Sequence, residues 1–132
     1  KVVEPNDKEH LKAGTVYLAP ANYHMYIELG NTIGLSTEPP VNHSRPSIDL
    51  SFYSAAYTYK SKLVGVLLSG ANRDGADGLR RIKEEGGFVV VQDPKNAQVS
   101  TMPTSALELL TPDKVLTADG IIEFLIRLGR QL

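Results

Sequence analysis

The sequence predicts an α/β fold: a doubly wound, mainly parallel sheet with helices on both faces, in three αβα layers, joined to an antiparallel β-hairpin. Two observations predict it. Continuous apolar runs at Leu63–Leu68 and Phe88–Val91 alternate with segments of helical periodicity, which is typical of buried parallel strands connected by helices. A segment of alternating hydrophobicity over His24–Leu35, interrupted by Gly30-Asn31, indicates a hairpin with a two-residue turn.

The first half of the chain contributes the hairpin and one helix. Residues 1–14 are polar with little apolar periodicity, so we expect an entering loop. Val16–Leu18, followed by Pro20, predicts a short strand. Beyond the hairpin, Pro46 and Asp49 are helix-start signals, and the apolar residues that follow at helical spacing predict a helix of about 13 residues.

The second half of the chain alternates strands with helices. Asp74–Glu85 has one apolar stripe and predicts a helix between the two apolar strands. A short helix is expected over Met102–Leu110, then a strand at Lys114–Leu116 and a final helix. Four apolar residues of that last helix are predicted to face inward: Ile121, Ile122, Leu125 and Leu128. We see no linker or repeat that would divide the chain and expect one domain over residues 1–132.

Composition excludes several classes of function. The 132 residues include no cysteine, which excludes a disulfide scaffold, a thiolate zinc site and a cysteine nucleophile. With 14 basic and 15 acidic side chains scattered along the chain, there is no basic stripe, so we expect no nucleic-acid partner. The apolar runs are far shorter than the roughly 20 residues that cross a bilayer, so we expect no membrane insertion.

The segment Leu68–Gly78 is the most informative, because it follows a buried strand and contains three glycines and two aspartates. Its spacing fits neither a phosphate-binding P-loop, nor a dinucleotide fingerprint, nor an EF-hand. Two interpretations remain. The turn presents backbone N–H groups to an oxyanion, with carboxylates held at a helix start. Alternatively, Asp74 and Asp77 simply cap the helix that follows.

Four motifs taken together resemble a known family, the chemotaxis receptor methylesterases, or CheB catalytic domains. They occur in the same order within residues 15–110: Ala19-Pro20-Ala21-Asn22-Tyr23-His24-Met25, Arg45-Pro46-Ser47-Ile48-Asp49, Ser69–Gly78, and Gln92-Asp93 through Thr101-Met102-Pro103. The resemblance implies a doubly wound α/β fold that hydrolyses glutamate γ-methyl esters and, in many members, deamidates glutamines on chemoreceptors. It also implies a Ser-His-Asp triad with no metal and no organic cofactor.

The resemblance implies roles for individual residues. Asp74 matches the aspartate of the triad, and the backbone around Ala71 matches the segment that helps to form the oxyanion hole. Many members have Gly-Met-Gly where this chain has Gly70-Ala71-Asn72, a change that a main-chain donor tolerates. His24 and Arg45 lie inside family motifs and are candidate substrate-binding residues; the alternative is that they stabilise the hairpin and the helix start.

The triad serine and histidine precede the segment equivalent to Gly14–Pro20 in this family. We therefore expect the chain to lack the N-terminal third of the domain and to be inactive by itself. None of His10, His24 and His43 accompanies a serine in a nucleophile-elbow setting.

The implied partner is the methylated cytoplasmic domain of a bacterial chemoreceptor, with a response-regulator domain as a further candidate in the parent protein; the implied location is the cytoplasm. Two alternatives stay open. The chain is a non-catalytic domain that binds a receptor or partner, or it is an α/β module that binds a small anion at the Gly70–Gly78 turn.

Overall fold

A computed structural model describes residues 1–131 as an α/β fold. The strands, in chain order, are β1 (Val2–Val3), β2 (Val16–Tyr17), β3 (His24–Glu28), β4 (Thr32–Ser36), β5 (Val64–Leu67), β6 (Phe88–Gln92) and β7 (Lys114–Leu116). The helices are α1 (Ile48–Tyr59), α2 (Ala76–Glu84), α3 (Thr101–Leu109) and α4 (Ala118–Arg130), with a short 3-10 helix at Lys60–Lys62.

The central sheet has the order β5-β6-β7 and is parallel throughout, as predicted. Val66 pairs with Val90, and Val91 pairs with Val115. Because parallel neighbours need a crossover connection, α2 links β5 to β6 and α3 links β6 to β7. The helices at Asp74–Glu85 and Met102–Leu110 were therefore predicted to within two residues at each end.

Helices cover both faces of this sheet, which confirms the predicted layers. Val89 and Val91 point to one face, where the main apolar cluster includes Leu79 of α2 and Ala106 of α3. Phe88 points to the other face, where its ring stacks on Phe124 of α4 at 5.7 Å between centroids. The two-residue period of β6 thus separates the helices into two layers.

The hairpin β3-β4 packs against α1, with Ser51 Oγ donating to the Met25 carbonyl at 2.6 Å. Its connection differs from the prediction. Glu28 pairs with Thr32, so three residues form the turn rather than two. Gly30 (φ 91°) and Asn31 (φ 68°) both adopt the left-handed backbone, which allows the longer connection.

The chain also differs from prediction at its two ends. Residues 1–14 are more than an entering loop, because Val2 pairs with Val16 in a short parallel β1-β2 ladder. In α4, Ile121 is buried, whereas Ile122 (56% exposed) and Leu125 (47% exposed) do not face inward as predicted. The physical reason is that, among the described residues, α4 packs mainly against β6 and β7, so the sheet covers one edge of its apolar stripe.

Candidate active site

The loop between β5 and α2 is fixed by close contacts at its start. Gly70 N donates to the Val99 carbonyl at 3.0 Å, and Met102 N donates to the Gly70 carbonyl at 3.2 Å. A Cβ on Gly70 would lie 1.8 Å from Met102 Sδ, so a side chain here would displace Met102. Ser69 N donates to Gln92 Oε1 at 2.8 Å, which ties the loop to the end of β6.

Gln92 extends this connection beyond the loop. Gln92 Nε2 donates to Asn96 Oδ1 at 3.1 Å, and the same Asn96 oxygen accepts from Ala118 N at 2.8 Å, at the start of α4. The carboxyl ends of β5 and β6 and the segment after β7 are therefore joined through two side-chain amides. In open α/β sheets this edge is where ligands bind.

The middle of the loop directs Asp74 away from its own helix. Asn72 Oδ1 accepts from Asp74 N at 2.8 Å, and Asn72 Nδ2 donates to Ser44 Oγ at 3.1 Å. Gly75 then takes φ 108°, a left-handed conformation that costs glycine little. The side chain of Asp74 consequently lies at the N-terminus of α1 rather than on α2.

Asp74 is only 2% exposed, and its carboxylate accepts three hydrogen bonds from the start of α1. Ser47 Oγ donates to Oδ1 at 2.8 Å, Ile48 N to Oδ2 at 2.6 Å, and Asp49 N to Oδ1 at 3.3 Å. A carboxylate at this position satisfies otherwise unpaired N–H groups and complements the helix dipole. Asp74 thus does cap a helix, but the helix is α1, not α2 as the sequence suggested. Asp77, the other aspartate, lies in the first turn of α2, 3.3 Å from Arg80.

Asp49 performs the reciprocal role for α2. Its Oδ1 accepts from Gly75 N at 2.9 Å and from Gly78 N at 2.7 Å, and its Oδ2 accepts from Asn42 Nδ2 at 3.2 Å. Burial raises the pKa of the Asp49 carboxyl; the Gly78 N–H opposes that rise, and the negative charge of Asp74 adds to it. The two carboxylates are held side by side by the N-termini of two helices.

His24 has no exposed surface, and both of its ring nitrogens are engaged. Ser47 N donates to Nδ1 at 3.1 Å, so Nδ1 carries no proton. Nε2 then carries it and donates to the Pro39 carbonyl at 2.9 Å. These contacts tie the hairpin to the start of α1, and the burial of the ring does not support contact with a substrate.

Arg45 lies beside the site, partly buried. Its Nη1 donates to the carbonyls of Thr37 at 3.1 Å and Glu38 at 3.4 Å. Its Nε is buried without a hydrogen-bond partner among the described residues. Thr37 also lines an open cleft of about 620 Å³ between the hairpin and the entering segment. Arg45 therefore holds the segment after β4, in which Thr37 lines the cleft.

Ala71 is exposed at the tip of the loop. Within the described residues, the backbone N–H groups of Ala71, Asn72 and Arg73 donate no hydrogen bond. Unpaired main-chain donors are what an oxyanion hole requires. The structure thus brings together Asp74 and the backbone at Ala71, whereas the contacts of His24 and Arg45 are with the backbone of neighbouring segments.

A serine, a histidine and an aspartate do meet in this chain, but in an order that cannot perform nucleophilic catalysis. Ser47 Oγ donates to Asp74 rather than to His24, and His24 contacts Ser47 through its backbone N–H. Ser47 is also fully buried. An activated nucleophile needs its hydroxyl on the imidazole and access to substrate.

Sequence reasoning missed Asp49, Ser47 and Asn72 as members of the site. A signal was present for Ser47, since serine after Pro46 and three residues before Leu50 is a common N-cap, and its Oγ accepts weakly from Leu50 N at 3.4 Å. Asp49 was noticed only as an acidic residue in the first turn. Within residues 1–131, no group of three or more His, Cys, Asp or Glu side chains is placed to hold a metal ion, and no helix is long and apolar enough to cross a membrane.

Comparisons with known proteins agree with one another. Residues 1–125 match the CheB methylesterase family. A protein of Leptospira interrogans, provisionally named protein-glutamate methylesterase/protein-glutamine glutaminase, is 51% identical over 130 residues, which cover 98% of this chain and 67% of that protein. A protein-glutamate methylesterase/protein-glutamine glutaminase of Clostridium acetobutylicum is 34% identical over 132 residues, covering this whole chain and 38% of the relative.

The fold is likewise that of a solved relative. The crystal structure of the Thermotoga maritima CheB methylesterase catalytic domain superposes with a TM-score of 0.88 and 37% identity, covering 95% of this chain and 68% of that one. The chain therefore spans about two thirds of the solved domain, and it belongs to the CheB methylesterase family.

Proposed function

We propose that the parent protein hydrolyses glutamate γ-methyl esters, and deamidates glutamines, on the cytoplasmic domain of a chemoreceptor, and that Asp74 is the carboxylate of its Ser-His-Asp triad. The observation that carries the proposal is the placement of Asp74, buried and held by three donors, beside the unpaired N–H groups of residues 71–73. Curated relatives named as methylesterases and glutaminases support the reaction type.

Asp74 supplies orientation and charge. In a triad, the aspartate holds the imidazole in one tautomer and stabilises the imidazolium that forms when serine attacks. The donors from Ser47 and Asp49 engage Oδ1, whereas Oδ2 accepts the single bond from Ile48 N. Oδ2 therefore retains acceptor capacity for a histidine N–H. Burial of the carboxylate strengthens such a bond because water does not compete with it.

The reaction then proceeds in two halves. The serine oxygen bonds to the ester carbonyl carbon, the histidine takes the serine proton, and the oxyanion receives N–H donors from the backbone around Ala71. Collapse of the intermediate breaks the bond to methoxide, which leaves as methanol with the proton from histidine. Water then hydrolyses the acyl-serine to the glutamate side chain; from glutamine, ammonia leaves instead.

The serine and the histidine of this mechanism come from outside the 132 residues. Ser47 and His24 are both buried and do not pair through the serine hydroxyl, so we assign them no chemical step. The chain alone is accordingly proposed to be inactive. Arg45 is proposed to border the substrate groove, since it braces Thr37 at the rim of the cleft.

The test uses the full protein from its complete reading frame, with methylated receptor as substrate and methanol release as the measurement. Asp74→Asn should preserve the circular dichroism spectrum and lower turnover by up to about 10⁴-fold, the scale of losing a triad carboxylate. Asp77→Asn makes the same change of charge three residues away, where the side chain forms an ion pair with Arg80 and no other within residues 1–131, and it should leave turnover unchanged.

Two outcomes would contradict the proposal. Ester hydrolysis by Asp74→Asn at the wild-type rate would exclude Asp74 from the triad. Methanol release by the purified 132-residue polypeptide would show that the nucleophile lies within it. A full protein whose remaining residues contain no serine in a Gly-rich turn followed by a histidine would favour the alternative, a non-catalytic domain that binds a receptor or partner.

A further inference from the structure

The carboxylate of Asp74 is positioned entirely by another helix. All three of its donors lie at Ser47, Ile48 and Asp49, at the start of α1, although Asp74 itself immediately precedes α2. The place of the carboxylate therefore depends on how the N-terminus of α1 sits relative to that of α2. A shift between the two helices would move Asp74 even if each helix stayed intact.

Asp49 fixes that relation from the opposite side. Its Oδ1 bonds Gly75 N and Gly78 N, the amides that follow Asp74. The helices approach so closely here that a Cβ on Gly78 would lie 2.6 Å from Phe52 Cβ and 3.0 Å from Asp49 Cα. Asp49 thus links the first turn of α2 to the turn of α1 that binds Asp74.

A cap that serves stability alone needs only its own helix. Thr117 is such a cap, because its Oγ1 accepts from Gly120 N of α4 at 3.1 Å, three residues along the chain. Asp49 and Asp74 each bond the other's helix instead. The exchange leaves two negative charges adjacent in a buried place, which costs free energy that a local cap would avoid.

We propose that Ser47 and Asp49 are positioning residues for Asp74, an inference that rests on the proposed function. Ser47 donates a hydrogen bond directly to the Asp74 carboxylate. Asp49 holds the backbone that follows Asp74, by accepting from Gly75 N and Gly78 N at the start of α2. Triad geometry tolerates displacements of roughly 0.5 Å. Loss of either contact therefore lowers turnover, whereas substrate binding, which involves neither side chain, is unaffected.

The experiment measures kcat, KM and thermal stability of the full protein with methylated receptor. Asp49→Ala should lower kcat by about 10²-fold, the scale of a misplaced catalytic group, with KM unchanged. Ser47→Ala should lower kcat less, because Ile48 N and Asp49 N still bond Asp74. Asp49→Asn keeps one acceptor oxygen for Gly75 N and Gly78 N and should restore most of the turnover.

The matched control is Asp113→Ala, which removes a carboxylate that accepts from Val89 N at 2.8 Å, at the end of β6 opposite the loop. It should lower the melting temperature and leave kcat unchanged. If Asp49→Ala behaves like Asp113→Ala, with lower stability and a wild-type kcat, the positioning role is overturned. If Asp49→Ala does not fold, a wild-type kcat in Ser47→Ala overturns it.

Failure of the proposed function gives a different pattern. In that case Asp74→Asn itself leaves ester hydrolysis unchanged, or the wild-type protein shows none. Loss of activity in Asp74→Asn together with wild-type kcat in both Ser47→Ala and Asp49→Ala would retain the function and reject only the positioning residues.

Discussion

Asp49 and Asp74 exchange helix caps: each carboxylate accepts backbone N–H groups from the first turn of the other's helix. No cation pairs with either side chain among the described residues. The amide dipoles of two helix N-termini therefore stabilise both negative charges. Among the described residues α1 and α2 form the most extensive helix–helix contact, and Gly78 allows their close approach beside Asp49 and Phe52.

Gly75 should be intolerant of any side chain. Its φ of 108° disfavours L-residues, and a Cβ would lie 2.6 Å from Leu67 Cδ1 and 3.1 Å from Ile48 Cγ2. Gly75→Ala is expected to cost about 3 kcal/mol or more of unfolding free energy, from backbone strain plus overpacking. Gly86→Ala is the matched control. Its φ of 95° causes the same backbone strain, but the atom nearest to an added Cβ, Ser61 Cβ, would lie 3.7 Å from it. Urea denaturation measures both, and equal losses would contradict the predicted overlap.

His24 should contribute to stability rather than to substrate binding. Removing its ring leaves Ser47 N without an acceptor and the Pro39 carbonyl without a donor, in a fully buried place. His24→Ala is expected to cost about 2–4 kcal/mol. His43→Ala, at an exposed loop position, should change the unfolding free energy by less than about 0.5 kcal/mol. A His24 variant of full stability with a raised KM would instead support direct contact with the substrate.

Asp113 should make the protein sensitive to acid. The hydrogen bond from Lys83 and the Val89 N–H lower the pKa of its carboxyl below the ordinary 3.8. Because the folded pKa is the lower one, the stabilisation is complete above 3.8 and is lost as the pH falls through the folded value. Asp113→Asn should lower the unfolding free energy by about 1 kcal/mol at neutral pH. In acid, this difference in unfolding free energy between the wild type and the variant should become smaller. Glu108→Gln, an exposed control, should have the unfolding free energy of the wild type at each pH. A difference between Asp113→Asn and the wild type that grows in acid would refute the assignment.

The isolated 132-residue polypeptide should associate. Ile122 and Ile126, 56% and 51% exposed, lie with Leu125 on one uncovered stripe of α4. Apolar patches of this kind drive self-association when nothing covers them. Sedimentation should show concentration-dependent species, and Ile126→Lys should reduce them. Leu29→Lys, at an equally exposed position on the hairpin turn, should not. A monomer with a sharp, concentration-independent melting transition would be the contrary result.

Periodicity predicted most of the fold because it reports local geometry. The apolar run before Gly70 predicts a strand, and the apolar stripe after Asp74 predicts a helix. The structure has both, as β5 and α2. Periodicity failed at α4, where Ile122 and Leu125 belong to the apolar stripe but lie exposed. A stripe shows which side of a helix is apolar; how much of it is covered depends on the width of the sheet.

The candidate site was harder to predict, because its contacts join distant parts of the chain. Asp74 lies in a Gly-rich loop, and a carboxylate there suggests the N-cap of the helix that follows. Its donors lie instead 25 to 27 residues earlier, at Ser47, Ile48 and Asp49. Only the packing of α1 on α2 brings these groups together, and no local spacing encodes it.

The side-chain amide of Gln92 has a consequence for motion at this edge of the sheet. It accepts from Ser69 N in the loop after β5 and donates to Asn96, whose oxygen also holds Ala118 N at the start of α4. Opening any one of these segments breaks a bond that it shares with a neighbour, so we expect their amide hydrogens to exchange cooperatively. We therefore expect the loop that carries the Ala71 N–H group to keep its position without a bound ligand.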